Sequence, residues 1–244
     1  MVKVRFVFLI VVPILLFACK LATTPCSKID EKVLKESLKI NFDSIVEKNE
    51  IQDAGVCQIV IKRAEGLSIF YAYPDAKTFI FGDIYKDGVF LSKLTLERLQ
   101  EKIFNDSKTE MEKVVAFSYK PEGATKYIYM ITDPDCPFCE KAKQLVKSWA
   151  DERKVEVKVI FFPLETLHPQ AKDKSIKAVC NRMSFEDYLK SKWGGSLCDE
   201  GAQKINDSIS LMKKINVNGT PTFISYNGKR AVGFSSEALD GIIR

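Results

Sequence analysis

The stretch TDPDCPFCEKAKQLVKSW, Thr132 to Trp149, constrains this chain more than any other. Cys136 and Cys139 stand two residues apart. They follow the β-prone run Lys126 to Thr132 and precede a run with helical spacing, Glu140 to Ala150. The first backbone N–H groups of a helix lack partners and the helix dipole is positive there, so a thiolate at that position is stabilised. In such settings the free cysteine pKa of about 8.5 falls to roughly 3.5–7.5. Pro137 suits the first turn, because the N–H it lacks would be unpaired anyway. The helix is expected to bury Cys139 and to leave Cys136 accessible. That makes Cys136 the candidate nucleophile and Cys139 the resolving thiol.

Rival uses of the pair fit less well. A structural zinc site needs four ligands, and the chain has one histidine, His168, and no second close Cys/His pair. A permanent bridge across two residues closes too short a loop to add much stability. No metal and no organic cofactor is expected.

The amino terminus bears on the compartment. A basic head with Lys3 and Arg5 precedes an apolar run from Phe6 to Ala18. That run is short for a membrane span and suits a signal-peptide core. It ends in LFAC, Leu16 to Cys19, which resembles a lipoprotein signal in which Cys19 receives lipid. An uncleaved anchor and ordinary secretion are the rival readings, and all three export the chain, where disulfides persist. Seven cysteines less Cys19 leave Cys26, Cys57, Cys136, Cys139, Cys180 and Cys198, an even number that suggests pairs. The net charge of +5 is weak and dispersed, which argues against nucleic acid as a partner.

Residues 29–48 place Ile29, Val33, Leu34, Leu38, Phe42, Ile45 and Val46 at largely helical spacing. From Cys57 the chain turns β-branched and aromatic, broken at Glu65-Gly66, Pro74-Asp75 and Asp87-Gly88, which reads as a small antiparallel sheet. Residues 95–113 return to helix, with Leu96, Leu99, Ile103 and Phe104 on one face. From Val114 the order is strand, strand, helix, strand, helices, hairpin, helix. Asn227-Gly228 supplies the hairpin turn.

YMITDPDCPFCEKAK, then VIFFP, then VNGTPTFISYNGKRAVGF resemble a thioredoxin-fold catalytic domain, and more narrowly the exported DsbC/DsbG family of disulfide isomerases and reductases. GLSIFYAYPDAKTFIFGDIY resembles that family's dimerisation sheet. The resemblance implies an α+β N-terminal dimerisation domain and an α/β thioredoxin-like catalytic domain with a helical insertion, joined by a linker helix. The boundaries are a lipoprotein-type signal peptide over 1–18, the N-terminal domain over 19–94, the linker over 95–113 and the catalytic domain over 114–244. It implies a redox pair at Cys136 and Cys139, and a structural disulfide between Cys180 and Cys198. It also implies a cis bond at Thr220-Pro221 that presents the Thr220 backbone to an extended substrate by strand addition. The residues alone give a trans bond there, since cis occurs in about 5–6% of X–Pro bonds. The implied partners are misfolded exported proteins with wrong disulfides, a membrane thiol-electron donor of the DsbD type and a second copy of the chain. The implied location is the periplasm, here with a lipid anchor.

Several features stand apart from the family pattern. Phe138 between the cysteines cannot hydrogen-bond a thiolate as a histidine would, so a moderate redox poise is expected. By position Phe138 is exposed, and substrate contact is expected there. Cys26 and Cys57 have no clear counterpart; an extra bridge is expected, with a free buried thiol at Cys57 as the alternative. Asp133 and Asp135 read as solvated loop acids, His168 as a surface or helix-start residue, and Trp149 and Trp193 as packing residues. The rival functions are a thiol oxidase of the same fold and a non-catalytic chaperone or metal-binding lipoprotein.

Overall fold

The computed structural model describes residues 25–63 and 66–244, so the signal segment and Cys19 lie outside the described residues. The helix expected over 29–48 is shorter. α1 (Glu31–Leu38) starts at Asp30, whose carboxylate accepts from the Val33 N–H, and stops at Lys39, which turns left-handed (φ 53°). β1 (Ser44–Ile51) follows and pairs antiparallel with β2 (Val56–Arg63). Ile45 and Val46 continue the helical spacing only by coincidence, and their β-branched side chains favour the ladder. β3 (Gly66–Ala72) and the short β4 (Phe79–Ile80) complete an antiparallel meander in the order β1-β2-β3-β4. Ile29, Leu34, Phe42, Ile59, Ile61 and Phe70 form its core, and the Cys26–Cys57 disulfide crosses the same core.

A two-stranded hairpin of β5 (Tyr85–Lys86) and β6 (Val89–Phe90) leads into α2 (Leu91–Val114). This helix begins four residues earlier than the spacing predicts. Phe104, Met111 and Val114 are buried in a cluster with Tyr129, Ile131 and Ile224 of the following sheet and with Leu211 of a later helix.

That sheet has the order β11-β10-β8-β9-β7. β7 (Phe117–Tyr119) lies at one edge, antiparallel to β9 (Val155–Phe161). β8 (Lys126–Thr132) runs parallel to β9, with α3 (Pro137–Arg153) connecting them. β10 (Thr222–Ser225) and β11 (Arg230–Val232) form the closing hairpin, antiparallel to β8. α4 (Ala171–Cys180), α5 (Phe185–Leu189) and α6 (Asp199–Lys214) are inserted between β9 and β10, and α7 (Ser236–Ile242) ends the chain.

β8 shows why its residues form a central strand. Ile128 and Met130 point into one core with Val146, Trp149 and Phe223. Tyr129 and Ile131 point into the other, with Phe104 and Leu211. A strand covered on both faces has a continuous apolar run, and YIYMI is one. The parallel arrangement puts the C-terminal ends of β8 and β9 together, and the Cys136 loop leaves from that edge.

Candidate active site

Cys136 is the N-cap residue of α3 and Pro137 its first helical residue. The Cys136 N–H donates to the Asp133 carbonyl (3.2 Å), and the Cys136 carbonyl accepts from the Glu140 N–H (3.1 Å). The thiol group donates to the Thr220 carbonyl at 3.4 Å. Thr220 precedes Pro221 through a cis peptide bond, directly before β10. Residues 84 positions apart are thus brought together by the pairing of β10 with β8.

Both thiols are free. The expectation that Cys136 stands open to solvent needs correction: it is 4% exposed, against 1% for Cys139. The Thr220 loop closes over it. Phe138, between them, is 68% exposed. Burial pushes the Cys139 thiol up to about 12, against the opposing pull of the Asp133 N–H and the Thr132 and Thr220 hydroxyls. The Thr220 hydroxyl is buried and has no hydrogen-bond partner. Cys139 is therefore held as a thiol in the free pair, beneath Cys136.

The two loop acids are not the solvated pair that the sequence suggests. Asp133 is 1% exposed. Its carboxylate accepts from the N–H groups of Asp135 (2.7 Å) and Leu164 (2.7 Å) and meets His168 Nδ1 at 3.0 Å. Asp135 pairs with Lys174 of α4. His168 has left the role of surface residue for that of a partner to a buried carboxylate.

Sequence reasoning also missed Lys143, which is 1% exposed. Its ammonium donates to the Tyr188 carbonyl (3.0 Å) and Ser191 Oγ (2.5 Å), pairs with Glu140 (2.6 Å) and lies over the Tyr188 ring. The Tyr188 hydroxyl shares a hydrogen bond with Thr132 Oγ1 (2.8 Å), and burial raises the phenol well above its usual range, so it stays neutral. A signal existed: Cys139, Ala142, Lys143, Val146, Trp149 and Ala150 repeat at three and four residues, the buried face of one helix.

The disulfide Cys180–Cys198 ties the end of α4 to the start of α6. Trp149 and Trp193 both pack in the core, and Trp149 Nε1 donates to Asp240 (2.9 Å). Among the described residues no group of three or more His, Cys, Asp or Glu side chains could hold a metal ion, and no helix is long and apolar enough to cross a membrane. A cavity of about 810 Å³ between α2 and the loop before Thr220 contains neither cysteine. The arrangement is a thiol at a helix N-terminus beside the Thr220 carbonyl and an exposed ring, with a second thiol buried close by. Such a pair can attack a disulfide and then be released by its own second thiol.

Comparison with known proteins agrees with this geometry. Residues 114–243 match the thioredoxin-like domain family. The thiol:disulfide interchange protein DsbG of Escherichia coli is 24% identical over 192 residues, covering 71% of this chain and 75% of that protein. DsbG of Pseudomonas aeruginosa is 26% identical over 116 residues, covering 47% of this chain and 45% of its own. A linker-deleted variant of ScsC from Proteus mirabilis shares the fold, with a TM-score of 0.50 at 16% identity over 63% of this chain and 84% of that one. With more than half of its residues in the matched domain, the chain belongs to the thioredoxin-like family.

Proposed function

We propose that this chain is an exported thiol–disulfide interchange enzyme that isomerises or reduces non-native disulfides in exported proteins. The observation that carries this reading is the Cys136 thiol at the start of α3, against the Thr220 carbonyl and beside exposed Phe138. The nucleophile lies outside the cavity described above, which suits a large, partly unfolded client.

The Cys136 thiolate attacks one sulfur of a client disulfide. A Cys136–client bond forms, the client S–S bond breaks, and the second client sulfur leaves as a thiolate. In isomerisation a client thiolate then displaces Cys136, which returns to the thiolate with no net electron transfer. In reduction Cys139 loses its proton and displaces the client sulfur, which leaves a Cys136–Cys139 disulfide and a reduced client. Repeated reduction requires two electrons from outside, and a membrane dithiol donor of the DsbD type supplies them in this reading. Thr220 and Pro221 hold the client backbone, and Phe138 touches its apolar side chains.

The remaining parts of the reading follow the sequence. Residues 1–18 are removed as a signal peptide, Cys19 carries lipid, and the chain works in the periplasm on a membrane surface. Residues 19–94 pair two copies, and 95–113 link that domain to the catalytic residues 114–244. Exposed Phe81 (71%), Tyr85 (64%) and Phe90 (50%) support a partner on the N-terminal side. The test is a Cys139→Ala variant expressed in a periplasm. It will accumulate covalent client complexes that a reducing agent releases. If it stays free of clients while Cys136 is reactive, the exchange reading fails.

A further inference from the structure

Arg230, the first residue of β11, uses only part of its guanidinium. Its Nη1 donates to the carbonyls of Ile215 (2.7 Å) and Asn216 (3.3 Å), at the C-terminal end of α6. Its Nε and Nη2 are buried, and among the described residues neither has a hydrogen-bond partner. Those two nitrogens form one edge of the planar group, the edge that takes a carboxylate through two parallel N–H···O bonds. Buried charges are ordinarily paired. Here burial pulls the guanidinium down to about 10, and no anion offsets it. Arg230 also lines the cavity of about 810 Å³ beside α2, a volume in the range of small-molecule sites. Leu96 of α2, Val217, Val232 of β11 and Ile242 of α7 supply apolar wall. The other charged groups on the wall are Lys93, Glu97, Glu101 and Lys229, and Glu97 pairs with Lys93 (3.8 Å). With Arg230 that makes three cations against two carboxylates.

We propose that this cavity binds a small amphiphilic monocarboxylate, with the carboxylate on the Nε/Nη2 edge of Arg230 and the apolar body along Leu96, Val217, Val232 and Ile242. The edge selects the head. A carboxylate is planar and offers two oxygens to two parallel N–H groups, whereas an alcohol satisfies one of them. The wall selects the tail, because each methylene taken out of water adds to affinity. Glu97 and Glu101, on the α2 side, oppose a second negative charge on the ligand, which favours a monoanion. The cavity contains neither cysteine, so this is a ligand site in addition to the thiol-exchange centre and independent of it.

The probe is sodium octanoate, titrated calorimetrically into the purified full chain, with octanol as the control that keeps the tail and drops the charge. One saturable site per chain is expected for octanoate. Octanol is expected to bind more weakly on the order of tenfold, the worth of hydrogen bonds to a charged group. Arg230→Lys keeps the charge and loses the fork, and its affinity is expected to fall on the order of tenfold. Arg230 also holds the end of α6, so a second variant sits where folding tolerates change. Val232 is 80% exposed. Val232→Glu adds a like charge to the wall and is expected to weaken octanoate roughly fivefold. A folded parent without saturable octanoate binding, octanol that binds as tightly as octanoate, or either variant folded and with the parent's affinity overturns the proposal. Inorganic phosphate that displaces octanoate at equal concentration makes the cavity a general anion site. An apolar tetrapeptide with a free C-terminal carboxylate that binds more tightly than octanoate makes it a site for chain ends. Either of those results overturns the proposal as well, and none of these measurements involves a thiol, so the exchange reading stands or falls separately.

Discussion

Gly201→Ala sets two opposite rules against each other. Gly201 is buried in the first turn of α6, where its N–H donates to Cys198 Sγ (3.3 Å). On propensity alone, alanine in a helix is about 1 kcal/mol better than glycine. The added Cβ would overlap the Cys180 sulfur and stand 2.9 Å from the Ile176 carbonyl and 3.3 Å from Cys198 Sγ. Neither a disulfide nor a helical carbonyl yields as a flexible side chain does. Overpacking of a filled site costs about 1–3 kcal/mol, and the rigid neighbours put this case at the upper end. The net expectation is a loss of about 1–2 kcal/mol, or roughly 3–6 °C in Tm for a chain of this size. Urea unfolding followed by tryptophan fluorescence measures it. The same substitution in a Cys180→Ala, Cys198→Ala background meets only the carbonyl, and its penalty shrinks by about 1 kcal/mol, read as a coupling energy. A Gly201→Ala protein as stable as its parent with the disulfide intact, or a cycle with no coupling, refutes the reasoning.

Four more outcomes follow from the site and its scaffold. Iodoacetamide at pH 8 will add one group to the folded dithiol protein, at Cys136, because Cys139 stays protonated until about pH 12; two additions counted by mass contradict this. The folded value of Cys139 is raised from 9.0, so its contribution to stability is complete below pH 9 and is lost as the pH rises towards about 12, in the dithiol form and not in the disulfide form. Replacing Cys180 and Cys198 together by alanine opens a loop whose ends are 18 residues apart and costs about 3 kcal/mol, measured by urea unfolding. Phe138→Ser changes stability by less than about 0.5 kcal/mol, yet slows turnover of a protein disulfide relative to a small-molecule disulfide; equal slowing of both removes Phe138 from client contact.

The parts of this fold that were legible in the sequence are those fixed locally. YIYMIT is apolar on both faces and became the central strand. Pro137 and the run after it marked the start of α3, and Asn227-Gly228 marked the β10–β11 turn. The parts that were not legible depend on residues far apart in the chain. Ile45 and Val46 fit a helix by spacing, and only the ladder with β2 makes them a strand. Asp133 looked like any loop acid, and one of the two amides on its carboxylate, together with the imidazole, comes from residues 164 and 168. Cys136 looked open, and the loop that covers it arrives 84 residues later. Lys143 shows a different failure. Its helical position was readable, but a buried ammonium needs the Tyr188 carbonyl and Ser191 hydroxyl that sequence order hides.

The central claim is that Cys136 is the nucleophile of a disulfide isomerase. Reactivation of scrambled ribonuclease by the chain lacking residues 1–19, beside the same chain carrying Cys136→Ser, tests it most directly. The account predicts that the parent restores ribonuclease activity and that the serine variant, folded and equally stable, does not. A folded parent with no activity, or a serine variant that matches it, contradicts the account.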